Sequence, residues 1–194
     1  MSSILYDIKK WFISWFCDIR IYKGGFILFG DSYYKISGKN QREIIKIIEP
    51  GDVLLRRFNH YVGSVLIKGY WSHSAVYVGD DSIIHMLGDG LVKEDILIFM
   101  RCDDVCILRP INSNNISRAI DLAFEQLIIG VEYDYDFDTD TPKRFYCTEF
   151  VDYVYNYPIK NNIENKYIIP DDFLKSNYFS IVWRKDNKKD LNND

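Results

Sequence analysis

The chain has 194 residues, of which 47% are apolar and 16% aromatic, enough core-forming side chains for one full domain and too many for a disordered chain. Its charge is mixed, net −4, with no basic stripe to follow a phosphate backbone, which argues against nucleic acid as a main partner. The four cysteines, Cys17, Cys102, Cys106 and Cys147, form no C-x-x-C pair and are too few for a disulfide framework, so reduced thiols in a cytosol-like compartment are expected.

Residues 4 to 19 have helical spacing. Ile4, Leu5, Ile8, Trp11, Phe12, Trp15, Phe16 and Ile19 make one wide apolar stripe. We expect the stripe to pack on the body of the protein. The alternative is a helix lying in a membrane surface, for which flanking lysines and aromatics are suited. No segment is apolar for long enough to span a bilayer, and the run Trp11 to Cys17 is closed by Asp18 and Arg20. Lys9 and Lys10 precede that run as in a secretion signal, but no small-x-small cleavage site follows. A cytoplasmic location is the expectation, with attachment to a membrane surface through residues 4–19 only under that alternative.

Gly24-Gly25 and Ser37-Gly38-Lys39-Asn40 are turn signals flanking an apolar, Tyr-rich stretch that predicts a strand or hairpin. The main domain is expected over residues 49–184, with 1–48 as an N-terminal extension and 185–194 as a polar tail. It opens at Glu49-Pro50-Gly51-Asp52, a turn feeding the short buried strand Val53-Leu54-Leu55.

His73-Ser74-Ala75-Val76-Tyr77-Val78 alternates, with His73, Ala75 and Tyr77 on one face. After the turn Gly79-Asp80-Asp81, Ser82 to Met86 predicts a second strand with Ile83 and His85 on one face. A turn with an odd number of residues puts His73 and His85 on the same side; a two-residue turn puts them on opposite sides. Asp104 to Arg109 predicts another strand, ended by Pro110. Residues 116 to 129 predict a helix with the stripe Ile116, Ala119, Ile120, Ala123, Phe124, Leu127 and Ile128, capped by Asn114 or Asn115 and ended by Gly130.

The acidic run Asp134, Asp136, Asp138, Asp140 has the alternation of a calcium loop but lacks its Gly and its later Glu, so a solvated loop is expected. Phe150, Val151, Val154 and Tyr155 then make a helical stripe with Cys147 at its start. Pro170 opens a further turn of helix, and Tyr178 to Trp183 a last strand. The order predicts an α+β domain with a mostly antiparallel sheet.

A helix start carries unpaired N–H groups and partial positive charge, which favour a thiolate at Cys147. A thiol nucleophile also needs a base, and the base needs a third polar group to orient it. Cys147, His73 and His85 fill those roles if the fold joins them; a zinc site from the same three is a weaker rival without an evident fourth ligand. His60 is read as a surface loop residue. Glu149 is expected to point away from the thiol. The backbone N–H of Cys147 is the expected oxyanion donor, with a hydroxyl from Tyr133 or Tyr77 as helper. Neither a cofactor nor a bound metal is called for, and the sequence sets no oligomeric state.

Gly51-Asp52-Val53-Leu54-Leu55, Ser72-His73-Ser74-Ala75-Val76-Tyr77-Val78-Gly79, Tyr133-Asp134 and Tyr146-Cys147-Thr148-Glu149-Phe150, in that order, resemble the YiiX/YebB-type cysteine hydrolases. These are circularly permuted papain-like members of the NlpC superfamily, related to lecithin retinol acyltransferase. The resemblance covers roughly residues 49 to 183. It implies a permuted papain-like fold with the cysteine helix packed on an antiparallel sheet. It implies Cys147 as nucleophile, His73 as base and His85 as third residue, where many bacterial relatives carry Glu and the acyltransferase branch His. The implied activity is cleavage of an amide bond, as in a cell-wall-type peptide, through an acyl-thioester. The alternatives are the same chemistry on a lipid acyl substrate, as transferase or thioesterase, and a catalytically silent binding domain.

Overall fold

The structure is a computed structural model that describes residues 3–17, 20–21, 27–28, 34–59, 67, 69–137, 144–162 and 167–185. Ile19, Gly24, Gly25, His60, Asp138, Asp140 and the tail from residue 186 lie outside the described residues, as do the side chains of residues 3, 4, 13–17, 20, 21, 27 and 28.

A helix over Ser3–Cys17 is followed by two short antiparallel strands, β1 (Arg20–Ile21) and β2 (Ile27–Leu28), and by a helix over Gly38–Ile47. The sheet that organises the domain contains β3 (Val53–Arg57), β4 (His73–Gly79), β5 (Ser82–Leu87), β6 (Gly90–Asp95), β7 (Asp104–Pro110) and β10 (Phe179–Arg184). Its order is β10-β7-β3-β4-β5-β6, and every neighbouring pair is antiparallel. Two short strands, β8 (Glu132–Tyr133) and β9 (Arg144–Phe145), pair in parallel beside it.

The central strands have apolar runs rather than simple alternation because both faces are covered. On one face Val53, Leu55, Val76, Ile84, Met86, Cys106 and Leu108 pack against the helices Ile116–Ile129, Cys147–Val154 and Pro170–Lys175. On the other, Leu54, Ala75, Tyr77, Ile83, Val105 and Ile107 pack against Ile36 and Ile44 and the short helix Ile96–Phe99. Full burial of one such side chain contributes about 1.5–3 kcal/mol, so each layer is held by many comparable contacts.

Several expectations are corrected. Ser37 to Asn40 is a helix start, not a turn: the Ser37 hydroxyl accepts the Asn40 N–H at 3.3 Å and the Asn40 side chain accepts the Ser37 N–H at 3.1 Å. Asn115 makes no side-chain cap; Asn112 caps the preceding turn by accepting the Asn114 N–H at 3.0 Å. Ile128 is exposed and Gln126 buried, a rotation of the predicted stripe. The helix does end at Gly130, in the left-handed region at φ 73°.

The N-terminal helix is also corrected. Leu5, Ile8, Trp11 and Phe12 are each more than half exposed. The helix meets the body by its other side: the Tyr6 hydroxyl donates to the Tyr133 carbonyl at 2.9 Å, Lys9 pairs with Asp136 at 3.0 Å, and Arg144 lies over the Tyr6 ring. Polar anchors hold it where apolar packing was expected. Among the described residues no helix is long and apolar enough to cross a membrane. The acidic stretch is not a solvated loop in its described part either. Asp134 and Tyr135 are buried, and Asp134 accepts the Asp136 N–H at 2.8 Å.

The β4–β5 hairpin decides the site. Asp80 and Asp81 form a two-residue turn with positive φ at both, 49° and 53°. Alone it would oppose the two histidines. The register shifts between Tyr77 and Gly79, however, so Val78 is an extra residue in β4. Tyr77 pairs with Ile83 beyond the bulge, and His73 and His85 share a face.

Candidate active site

Cys147 is the first residue of its helix and is buried. Phe150, Val151 and Val154, three, four and seven positions on, anchor that helix in the core and hold its start against β4. The main-chain N–H groups of Ser74 and Thr148 face the thiol. The Ser74 hydroxyl lies beside it without closing a well-formed hydrogen bond. Burial pushes the Cys147 thiol up from its ordinary pKa; the Ser74 and Thr148 groups and the Arg56 guanidinium pull the other way and do not overcome it. The expected resting thiolate is therefore replaced by a neutral thiol.

His73 begins β4, one residue before Ser74, and its ring leaves the opposite face of the strand. Its Nε2 lies 2.8 Å from Nδ1 of His85, with the rings edge to face. His85 is wholly buried, and both rings border Phe99. Burial first, then Arg56, lowers both histidines: His73 well below 6.5, His85 to about 3. Both rings rest neutral. The nucleophile and the histidine pair thus arise on opposite faces of β4 near its first residues, and Arg56 acts electrostatically on Cys147 and on both rings.

The strand's entry is pinned from outside the sheet. Asp171 accepts the N–H groups of Tyr70 and Trp71, each at 2.9 Å. A Cβ at Gly69, whose φ is 109°, would stand 2.5 Å from the Asp171 carboxylate, so only glycine fits there. The Tyr70 hydroxyl donates to Asp104 at 2.6 Å, and Arg57 donates to the Tyr70 carbonyl. Gly51, at φ 92°, is equally confined: a Cβ there would meet Ile116 at 2.5 Å, and the Tyr155 hydroxyl donates to its carbonyl.

Tyr77 is not part of this site. It lies toward the far end of β4, and its hydroxyl accepts the Asp81 N–H at the hairpin turn. That removes it as an oxyanion helper. Tyr133 stacks with Tyr135 and Phe137, and Phe137 meets Tyr146, the residue before Cys147, so it belongs to an aromatic wall leading to the nucleophile. Glu149 is buried, and its charge acts on Tyr146 and Tyr157. Among the described residues no three His, Cys, Asp or Glu side chains are placed to hold a metal ion.

Three residues near the histidines escaped the sequence reading. Arg56 pairs in register with His73, and its guanidinium lies 4.3 Å from the Phe99 ring centre. Glu94, on β6, lies 3.5 Å from His85 Nε2. Ser74 was only the residue after a histidine. Arg56 was legible by position, since alternation from Leu54 puts a charge on a buried face.

Residues 47–185 match a family of permuted papain-like amidases, the YaeF/YiiX or C92 family. Among solved structures, the crystal structure of the metalloprotein yiiX from Escherichia coli O157:H7 matches with a TM-score of 0.50 at 13% identity, covering 72% of this chain and 98% of that one. That likeness is one of fold. A comparison with curated proteins found no match.

Proposed function

We propose, on the premise that this chain belongs to the C92 family of permuted papain-like amidases and is a cysteine hydrolase of that kind, that Cys147, His73 and His85 cleave an amide bond in a peptide of cell-wall type. The carrying observation is the 2.8 Å contact between His73 Nε2 and His85 Nδ1. It commits Nε2 of His73 to the pair, and in the tautomer where Nε2–H donates to His85, Nδ1 is the ring's basic atom. The Cys147 thiol turns from Ser74 toward Nδ1 and gives up its proton as Sγ attacks the substrate carbonyl carbon. The carbonyl electrons move onto oxygen, and the Cys147 N–H at the helix start stabilises that charge. His73 then protonates the departing amine, leaving an acyl-thioester. Water, deprotonated by His73, attacks the thioester, releases the carboxylic acid and restores the thiol.

A second reading, transfer or hydrolysis of a lipid acyl group by the same residues, is favoured by one observation. The exposed apolar side of the N-terminal helix is tied through Tyr6 and Lys9 to Tyr133 and Asp136, within the aromatic wall that leads to Tyr146. Parallel assays on cell-wall-type peptides and on acyl lipids separate the two. Wild type should turn over one class, with an acyl adduct detectable by intact mass, and Cys147→Ala should lose turnover by on the order of 10³ or more. Equal turnover by Cys147→Ala would remove both readings.

A further inference from the structure

Two charged side chains, Arg56 and Glu94, lie beside the histidines on their sheet face, and one is placed to choose the tautomer of the pair. Resting on the reading of His73 as base, we propose that Glu94 is a positioning residue whose carboxylate takes the Nε2–H of His85 and so leaves His73 with a bare Nδ1 to act as that base.

Position comes from strand register. His85 lies opposite Val92, and Glu94 opposite Ile83, so Glu94 is the diagonal neighbour of His85 on the same face. Its Oε2 stands 3.5 Å from His85 Nε2, long for a hydrogen bond and close enough for an ion-pair contact. His85 Nε2 is buried and has no closed hydrogen bond. A buried nitrogen in that state needs a partner, and a small change in the Glu94 side chain supplies it.

Two proton arrangements are available to the pair. In the first, His85 Nε2–H points to Glu94, His85 Nδ1 accepts from His73 Nε2–H, and His73 Nδ1 is free to take a proton. In the second, His85 Nδ1–H donates to His73 Nε2. His85 Nε2 then presents a lone pair to a carboxylate, and His73 carries its proton on Nδ1, where no base is left for a thiol. An ionised Glu94 disfavours the second by repulsion between two acceptors and by an unpaired buried nitrogen. The charged and titratable groups that face the pair are Arg56 from β3, Glu94 from β6 and the two rings themselves. Arg56 helps keep Glu94 ionised against its burial. When His73 takes the thiol proton, Glu94 also balances the new charge through His85.

The test pairs Glu94→Gln and Glu94→Ala with ¹⁵N NMR of the histidine rings at neutral pH, beside kcat and KM. Wild type should show Nε2–H with bare Nδ1 on both rings. Glu94→Ala should show a mixed or reversed pattern and lose about 10² in kcat with little change in KM; Glu94→Gln, which keeps shape and an acceptor oxygen, should lose about tenfold. Far-UV dichroism confirms folding, and if Glu94→Ala does not fold, Glu94→Gln carries the test. An unchanged tautomer pattern in the folded variant overturns the proposal, and so does a changed pattern with wild-type kcat. Turnover by Cys147→Ala equal to wild type would instead remove the catalytic reading, which the ring spectra do not depend on.

Discussion

Nε2 of His73 lies 2.8 Å from Nδ1 of His85 across a hairpin whose two-residue turn, without the extra residue Val78, would send the rings to opposite faces of the sheet. His85 is therefore in place to orient His73. His85→Ala removes the acceptor and should lower kcat on the order of 10², less than the roughly 10⁴ seen when a charged orienting residue is neutralised in a serine-protease triad. His85→Glu should retain more activity than His85→Ala. It also sets a second carboxylate near Glu94, so His85→Glu/Glu94→Gln should exceed His85→Glu alone. Steady-state kinetics on the four proteins checks this, and equal kcat for His85→Ala and wild type would make His85 a packing residue.

The bulge itself is testable. Deleting Val78 restores plain two-residue pairing and turns His73, Ser74 and their neighbours over relative to β5. Core and polar side chains would exchange faces, so the deletion should fail to fold or lose most of its thermal stability. A stable, active deletion variant would contradict the role given to the bulge.

Cys147 should behave as a buried neutral thiol. Its alkylation by iodoacetamide in folded protein should climb with pH past 8 instead of reaching a plateau near neutrality, because burial raises its pKa. Cys102 and Cys106, both buried with thiols pushed up to about 12, should react more slowly still. Peptide mapping after timed alkylation reads all three, and a plateau for Cys147 near pH 7 would mean a resting thiolate after all.

Much of this was legible in the chain. The strands Val53–Arg57, His73–Gly79, Ser82–Leu87 and Asp104–Pro110 and the helices at 116 and 147 announce themselves by period and by Gly and Pro stops. The helix Gly38–Ile47 was hidden because its cap, Ser37-Gly38-Lys39-Asn40, has the composition of a turn, and capping boxes and turns use the same side-chain bonds. Strand β6 was hidden because Lys93, Glu94 and Asp95 at a sheet edge give no apolar signal. With β6 unseen, Glu94 could not be placed beside His85. The thiol's raised pKa was not legible at all, since it depends on how completely the body closes over the helix start.

Acid should weaken the fold, with a sign set by four groups. His85 is held at about 3 against an ordinary 6.5, so below pH 6.5 the unfolded chain takes a proton that the folded chain refuses. The stability it contributes is present above 6.5 and is lost as pH falls toward 3. His73, also lowered, has the same sign. Asp152 opposes them: burial raises it to about 6 from 3.8, so between those values the folded chain holds the extra proton and gains stability on acidification. Glu94, also raised by burial, has the sign of Asp152; two histidines that charge in the unfolded chain below about 6.5 still outweigh the two carboxyls from pH 7 to 5, with each unbalanced proton worth about 1.4 kcal/mol per pH unit. Urea midpoints across that range should fall. His85→Phe should flatten the fall, and Asp152→Asn should steepen it. Midpoints that rise toward pH 5 in wild type would contradict the buried neutral pair.

The last expectation concerns the N-terminal helix, whose exposed Leu5, Ile8, Trp11 and Phe12 stand away from the edge that Tyr6 and Lys9 fasten to the body. Apolar side chains that stabilise a fold by burial are costly to replace, while exposed ones change stability by no more than about 0.5 kcal/mol. Leu5→Ser/Ile8→Ser should therefore leave the melting temperature nearly unchanged. If the helix lies on lipid, the same pair should reduce co-sedimentation with vesicles of phosphatidylcholine and phosphatidylglycerol severalfold, since each loses apolar area that would otherwise enter the interface. Lys9→Ala should act differently: it loosens the tie to Asp136 and should leave vesicle binding largely intact while lowering turnover of a vesicle-borne acyl lipid, because the helix no longer sets the body's distance from the surface. Wild-type protein that does not sediment with vesicles would remove the lipid surface as a partner and leave peptide substrates as the reading to pursue.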